Sequence, residues 1–240
     1  MRRGGVKLLK LVKWYLGFFH VWAFSLAFFF AYVFTYDRFA ILIVSPSWDS
    51  LVNSAWSLQE PVLMAAHAAL VAAVLFSFEE GEGYSYLRHL AGAGRLQVFA
   101  AKWLAYLLLT ALPLAAARSL LAVSWDYRML ARPGFAQALA KLLAGAALQA
   151  SYLFPFYAFW ALASKRATYF VVGAFLELYL LESFWGGPLL VYRSHLMLLR
   201  LPFDPALGWL ARDLGARIAA SLAHLVAAAY LEARGEVKWR

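Results

Sequence analysis

The chain has 240 residues, 64% of them hydrophobic and 15% charged, with a formal charge of +9 and no cysteine. A soluble globular domain is about 45–50% apolar and about 25% charged, so this balance fits a protein whose exterior faces lipid. The lack of cysteine excludes disulfides, zinc–thiolate centres and thiol nucleophiles, and the cations sit at the ends of apolar runs rather than in one patch, a membrane pattern and not a nucleic-acid footprint.

In residues 1–15, Arg3, Lys7, Lys10 and Lys13 share one helical arc, opposite Leu8, Leu11, Val12 and Tyr15. This reads as an amphipathic helix on the inner leaflet with its cations towards anionic lipid headgroups; a frayed basic tail is the alternative. A signal peptide is disfavoured, because the next apolar run exceeds about 20 residues and no small-residue cleavage site follows it.

Six apolar runs come next: Leu16–Tyr36, Pro61–Phe78, Trp103–Ser124, Ala138–Ala163, Ala167–Trp185 and Leu214–Leu231. At about 1.5 Å per residue, each covers or nearly covers a hydrocarbon core of about 30 Å. The expectation is an all-α polytopic membrane protein of six spans in a single domain, 1–240. Trp and Tyr gather near the span ends, as at Trp14, Tyr36, Trp103, Trp125, Trp185 and Tyr230, like an interfacial belt.

With the N-terminus inside, the inner segments hold thirteen of the 22 Lys and Arg residues, counted as five before the first span, Arg88, Arg95 and Lys102, Lys165 and Arg166, and Arg234, Lys238 and Arg240. The basic bias therefore places both termini and the 79–101 loop in the cytoplasm, with the cell membrane as the location. Outside, Gly186, Gly187 and Pro188 break the helix before span six. Residues 186–213 are then apolar but too short and too charged to cross, which fits a re-entrant or interfacial segment.

No sequence element marks an enzyme. There is no Gly-x-x-x-x-Gly-Lys phosphate loop, no His-Glu-x-x-His and no Gly-x-Ser-x-Gly. The five His share no metal-ligand spacing. Glu79–Glu80 resembles the paired glutamates of intramembrane prenyl-protease relatives, but Tyr84 stands where their Arg would be.

Ionisable residues within spans are costly and need partners. Counting depth from the span ends puts Glu177 and His224 near the midplane, and Glu182, Arg217 and Arg118 in the outer half. The expected pairs are Glu177 with His224, and Glu182 with Arg217 or Arg118. They serve as interhelical glue, or they line a polar route or relay protons. Span six also carries Ala216, Ala219, Ala220, Ala223 and Ala227, a small-residue face suited to packing against another helix.

The stretch SFEEGEGYSYLRHLAGAGRLQVFAAKW, residues 77–103, concentrates charge and glycine between two apolar runs. Gly81 and Gly83 let the chain turn, and Tyr84, Leu87, Leu90 and Ala91 form the apolar side of a short helix ended by Gly92 and Gly94. The stretch resembles the cytoplasmic loop of ABC-2-type transporter permeases, the membrane subunits of ATP-binding-cassette exporters. That loop reads acid-x-acid-x-Gly-Thr, a Leu-rich helix, Pro-x-Ser-Arg, and a Lys seven residues on. Glu80 and Glu82 stand at neighbouring acidic positions, Gly83 at the Gly, Leu87 in the helix, Arg95 at the Arg and Lys102 at the Lys. Tyr84 replaces Thr, Gly92 Pro and Gly94 Ser.

The resemblance implies a permease subunit, an exporter by family, that binds no cofactor itself. ATP and magnesium would bind a separate ABC ATPase subunit, and a second permease subunit, identical or related, would complete the pathway. Tyr84, Leu87, Arg88 and Leu90 would dock the ATPase. Glu80, Glu82, Arg95 and Lys102 would anchor the loop at the inner membrane face. A proton-coupled secondary transporter using Glu177 and Glu182 is the main alternative, and an intramembrane enzyme a further one.

Overall fold

The structure is a computed structural model that describes residues 8–17, 19–40, 59–78, 92–125, 127–131, 133–164, 167–184 and 211–234. Within them the chain is all-helical, with no strand. The helices are α1 (Leu8–Leu16), α2 (Phe19–Ala40), α3 (Gln59–Ala73) with a π-helical turn at Val74–Phe78, and α4 (Arg95–Trp125). A 3-10 turn at Tyr127–Ala131 leads to α5 (Phe135–Ser164), followed by α6 (Ala167–Phe184) and α7 (Ala211–Arg234).

Glycines set where the two longest helices begin. Gly92 (φ +74°) and Gly134 (φ +91°) occupy the left-handed region, where a Cβ is strained. Gly94 then starts α4: its carbonyl accepts from the Val98 N–H at 3.0 Å, and its N–H donates to Gln97 Oε1 at 3.2 Å. This is one arm of a capping box, and it satisfies a donor that the helix start leaves open. Helix α4 therefore begins at Arg95, well before the expected Trp103.

The entry to α2 is an elbow. Gly17 ends α1, its N–H shared between the Lys13 and Trp14 carbonyls at 3.1 and 3.0 Å, and the Trp22 indole N–H donates to the Leu16 carbonyl. Across this elbow, Leu8–Leu16 and His20–Ala31 meet at 63°. As the periodicity predicts, α1 is two-faced: Leu11, Val12 and Tyr15 are buried against the bundle, while Lys10 and Lys13 are exposed. Leu8 is exposed rather than part of the buried face.

Helices α4 and α5 form the centre. Helix α4 packs against α1, α2, α5 and α7, and α5 packs against α3, α4, α6 and α7. Their core is aromatic, with the Phe154 ring 5.7 Å from Phe99, 6.4 Å from Trp103 and 5.1 Å from Tyr106. Both helices carry an internal proline, Pro113 and Pro155. Each lacks the N–H that would bond the carbonyl four residues earlier, which apolar helix bundles tolerate when neighbours re-satisfy the backbone. Beside Pro155, the buried Ser221 hydroxyl on α7 donates across to the Tyr152 carbonyl at 3.1 Å.

The runs Trp103–Ser124, Ala138–Ala163 and Leu214–Leu231 each fall within one helix, whereas Leu16–Tyr36 crosses the elbow, Pro61–Phe78 runs from α3 into the π-helical turn and Ala167–Trp185 ends one residue past α6, and six spans do not follow from them. Among the described residues two helices are long and apolar enough to cross a membrane, Arg95–Ala117 and Phe135–Ser164, or three if the bent pair at the elbow is one span. The apolar stretches Ala66–Phe76 and Val172–Leu181 are shorter, and a span needs about 20 apolar residues.

Candidate functional site

The strongest polar constellation lies where α5, α6 and α7 meet. His224 Nε2 on α7 is 2.8 Å from Glu177 Oε1 on α6. The other ring nitrogen, Nδ1, is 2.8 Å from the Ala220 carbonyl one turn earlier on α7. The second carboxylate oxygen, Glu177 Oε2, accepts the Trp160 indole N–H from α5 at 2.5 Å. Both oxygens and both ring nitrogens are thus engaged, which removes the main penalty for polar groups in an apolar setting.

Aromatic rings fix the imidazole. Phe156 lies at 4.5 Å in a tilted arrangement and Phe159 meets it edge-on at 5.2 Å. Side-chain exposures of 17% for His224 and 27% for Glu177 leave the pair within reach of the bundle surface. Gly173, four residues before Glu177 and so on the same face of α6, makes room for the indole: a Cβ there would stand 2.6 Å from the Trp160 ring. Among the described residues no three His, Asp or Glu side chains converge to hold a metal.

Depth counting thus joined Glu177 to His224, and the structure brings them together. It did not find Trp160 or Gly173. The available signal was a glycine inside a helical run, which marks close approach, whereas Trp160, four residues from the end of α5, reads as one more residue of the interfacial belt. The pairing of Glu182 with Arg217 or Arg118 lies outside the described residues, because the side chains of Glu182 and Arg118 are not described. Arg217 is buried, 1% exposed, on the face of α7 that carries His224 two turns on. The small-residue face of α7 divides: Ala220 packs against the core, while Ala216, Ala219 and Ala223 are exposed.

Of the loop residues, Glu80, Glu82, Gly83, Tyr84, Leu87, Arg88 and Leu90 lie outside the described residues, as does most of 186–213. Arg95 and Lys102 are described, and they part company. The Arg95 guanidinium donates to the Ala233 carbonyl in the last turn of α7 at 3.1 Å, meeting an acceptor that the helix end leaves open. Lys102 was expected at the anionic inner surface. It is instead 3% exposed, with its ammonium 4.3 Å above the Phe76 ring. The reason is the early start of α4: residue 102 sits two turns inside the helix, on the face that also carries Phe99 and Tyr106. A desolvated cation over an aromatic face is worth about 2 kcal/mol.

Comparison of the chain with protein-family models, with curated proteins and with solved structures finds no match.

Proposed function

We propose that this chain is the membrane-spanning permease subunit of an ATP-binding-cassette transporter, an exporter driven by a separate ATPase and completed by a second permease subunit. In this reading the six apolar runs are six passes of the cell membrane, with both termini cytoplasmic. Helix α1 lies on the inner leaflet, and residues 79–91 carry the coupling helix. The observation that carries the reading is the Arg95–Ala233 hydrogen bond. It ties the return of the charged loop to the end of α7, so a push on the loop reaches the last helix directly. Arg95 is also a position at which the sequence keeps the register of the ABC-2 loop. Helix α1, with its basic exposed face and sharp elbow, suits an anionic lipid surface. ATP binding to the partner would bias a bistable packing of the helices.

The test is partner capture. Affinity purification of the full chain from its own cells brings down an ABC ATPase, and Leu87→Asp with Leu90→Asp releases it while the permease stays inserted. An intact complex and normal transport in that double variant would sink the coupling-helix assignment.

The paired Glu177 and His224 favour a second reading, a proton-coupled secondary transporter. It predicts flux driven by a proton gradient with no ATPase bound.

A further inference from the structure

From the hydrogen-bond geometry we infer that Glu177, His224 and Trp160 form a one-proton binding site that latches α6 to α5 and α7. The argument is a count of donors. A backbone carbonyl only accepts, so His224 Nδ1, 2.8 Å from the Ala220 carbonyl, carries a hydrogen. The Trp160 N–H only donates, so Glu177 Oε2 accepts. The remaining contact, Nε2 to Oε1 at 2.8 Å, needs one hydrogen between two atoms that otherwise face each other with lone pairs. Held on nitrogen, it makes an imidazolium–carboxylate pair; held on oxygen, a neutral acid and a neutral imidazole. Either way the pair binds one proton, and the site is neutral overall.

Loss of that proton leaves a carboxylate lone pair against the Nε2 lone pair. Turning the imidazole to the other tautomer moves the same conflict to the Ala220 carbonyl. Gain of a second proton neutralises the carboxylate and strands an imidazolium between Phe156 and Phe159 without its counter-charge. Both changes loosen the side-chain hydrogen bond that joins α6 to α7.

Among the described residues no further charged group is hydrogen-bonded to the pair. Among the described residues, the other buried ionisable side chains on the elements packed around the site are His67 on α3, Lys102 and Tyr106 on α4, Tyr152 and Tyr157 on α5 and Arg217 on α7, and none of them is hydrogen-bonded to Glu177 or His224. Tyr179 on α6 and Tyr230 on α7 face outward. Lys141, Glu232 and Arg234 stand at least two turns away along their helices. The polar partners of Glu177 and His224 are Trp160, the Ala220 carbonyl and each other.

The inference rests on these contacts and is independent of how transport is driven. It is tested on the full chain in lipid nanodiscs by thermal unfolding across acid to alkaline pH, wild type beside Glu177→Gln. Glutamine keeps every contact without the proton, since its amide donates to a neutral His224 and its carbonyl accepts from Trp160. The wild type loses melting temperature towards alkaline pH, and Glu177→Gln loses that alkaline limb while matching the wild type near its optimum. The same alkaline limb in both proteins overturns the proposal. Should the variant not insert, proton and nitrogen magnetic resonance of the wild type with labelled histidine decides the matter. A far-downfield proton shared between a histidine nitrogen and a carboxyl oxygen, on either atom, present near neutral pH and lost on alkalinisation, supports the site. Its absence at every pH overturns it.

Discussion

Two histidines of the bundle lie tilted against phenylalanine at nearly the same distance: His67 on Phe28 at 4.4 Å and His224 on Phe156 at 4.5 Å. Their polar edges meet different worlds. His67 is buried, 1% exposed, with Nε2 3.2 Å from the Ser25 hydroxyl and Nδ1 left without a hydrogen bond among the described residues. His224 has both nitrogens engaged and a carboxylate on one of them. A hydroxyl can satisfy a neutral imidazole but offers no counter-charge, so the His67 site suits a neutral ring alone. The carboxylate at His224 gives a second protonation state somewhere to go. The identity of the facing group, rather than the histidine or its ring contact, separates a packed side chain from a site that exchanges a proton.

The largest way to break this contrast is Glu177→Leu. It strands the Trp160 N–H and the His224 Nε2 together, at about 1–3 kcal/mol for each group left unsatisfied. Chemical or thermal unfolding in detergent reads the loss, and Glu177→Gln is expected within about 1 kcal/mol of wild type because it keeps both contacts. A Glu177→Leu variant as stable as wild type would mean that the carboxylate contacts contribute nothing to packing.

Removing each histidine in turn sharpens the same contrast. His224→Leu leaves Glu177 Oε1 without its hydrogen-bond partner and is expected to lose about 2–3 kcal/mol. His67→Leu deletes a buried nitrogen that has no partner, and the Ser25 hydroxyl can turn to the carbonyl one turn back on its own helix. Its expected cost is about 1 kcal/mol or less, since replacing a buried polar group by an apolar one of similar size is often nearly neutral. Should His67→Leu prove the more damaging, the two sites have been read the wrong way round.

Gly173→Ala attacks the third partner without touching the dyad. The added Cβ would stand 2.6 Å from the Trp160 ring, so the indole or the helix must move. Overpacking of this kind costs about 1–3 kcal/mol. The displaced indole also loses its bond to Glu177, so tryptophan fluorescence should shift along with stability. A normal spectrum with unchanged stability would show that the ring has room to spare.

Much of this architecture is legible from one-dimensional bookkeeping. Depth along a span follows from residue count, so Glu177 and His224 could be matched across helices before their contact was seen. Amphipathic period likewise gives the buried Leu11, Val12 and Tyr15 of α1 and its exposed Lys10 and Lys13. What stays hidden depends on rotation about helix axes and on where helices start. Lys102 reads as an interfacial cation only if α4 begins near it; the cap at Gly94 moves the start back to Arg95 and turns the lysine inward over Phe76. Trp160 reads as another belt residue until α6 is laid beside α5 with Gly173 at the crossing. The proposed coupling role draws on loop residues read from the sequence and, within the described residues, on the Arg95 contact with the Ala233 carbonyl.

The smallest stability effect is expected at Arg95→Ala, and it distinguishes the two ends of α7. At mid-helix His224 is held by a shared proton, whereas at the C-terminal end Ala233 is held by a guanidinium that stays charged across the accessible pH range. The Ala233 carbonyl lies in the last turn of α7 as described, and Arg95 is half-exposed, so water can replace it. The net loss should be about 0.5–1.5 kcal/mol, with no change in the shape of the pH profile. If coupling runs from the charged loop through Arg95 to α7, the same variant lowers transport per ATP hydrolysed well beyond what so small a loss of stability explains. Lysine at this position retains charge without the planar fork and should restore only part of the coupling. Full coupling in Arg95→Ala, measured as flux against hydrolysis in reconstituted vesicles, would leave the hydrogen bond a helix cap and nothing more.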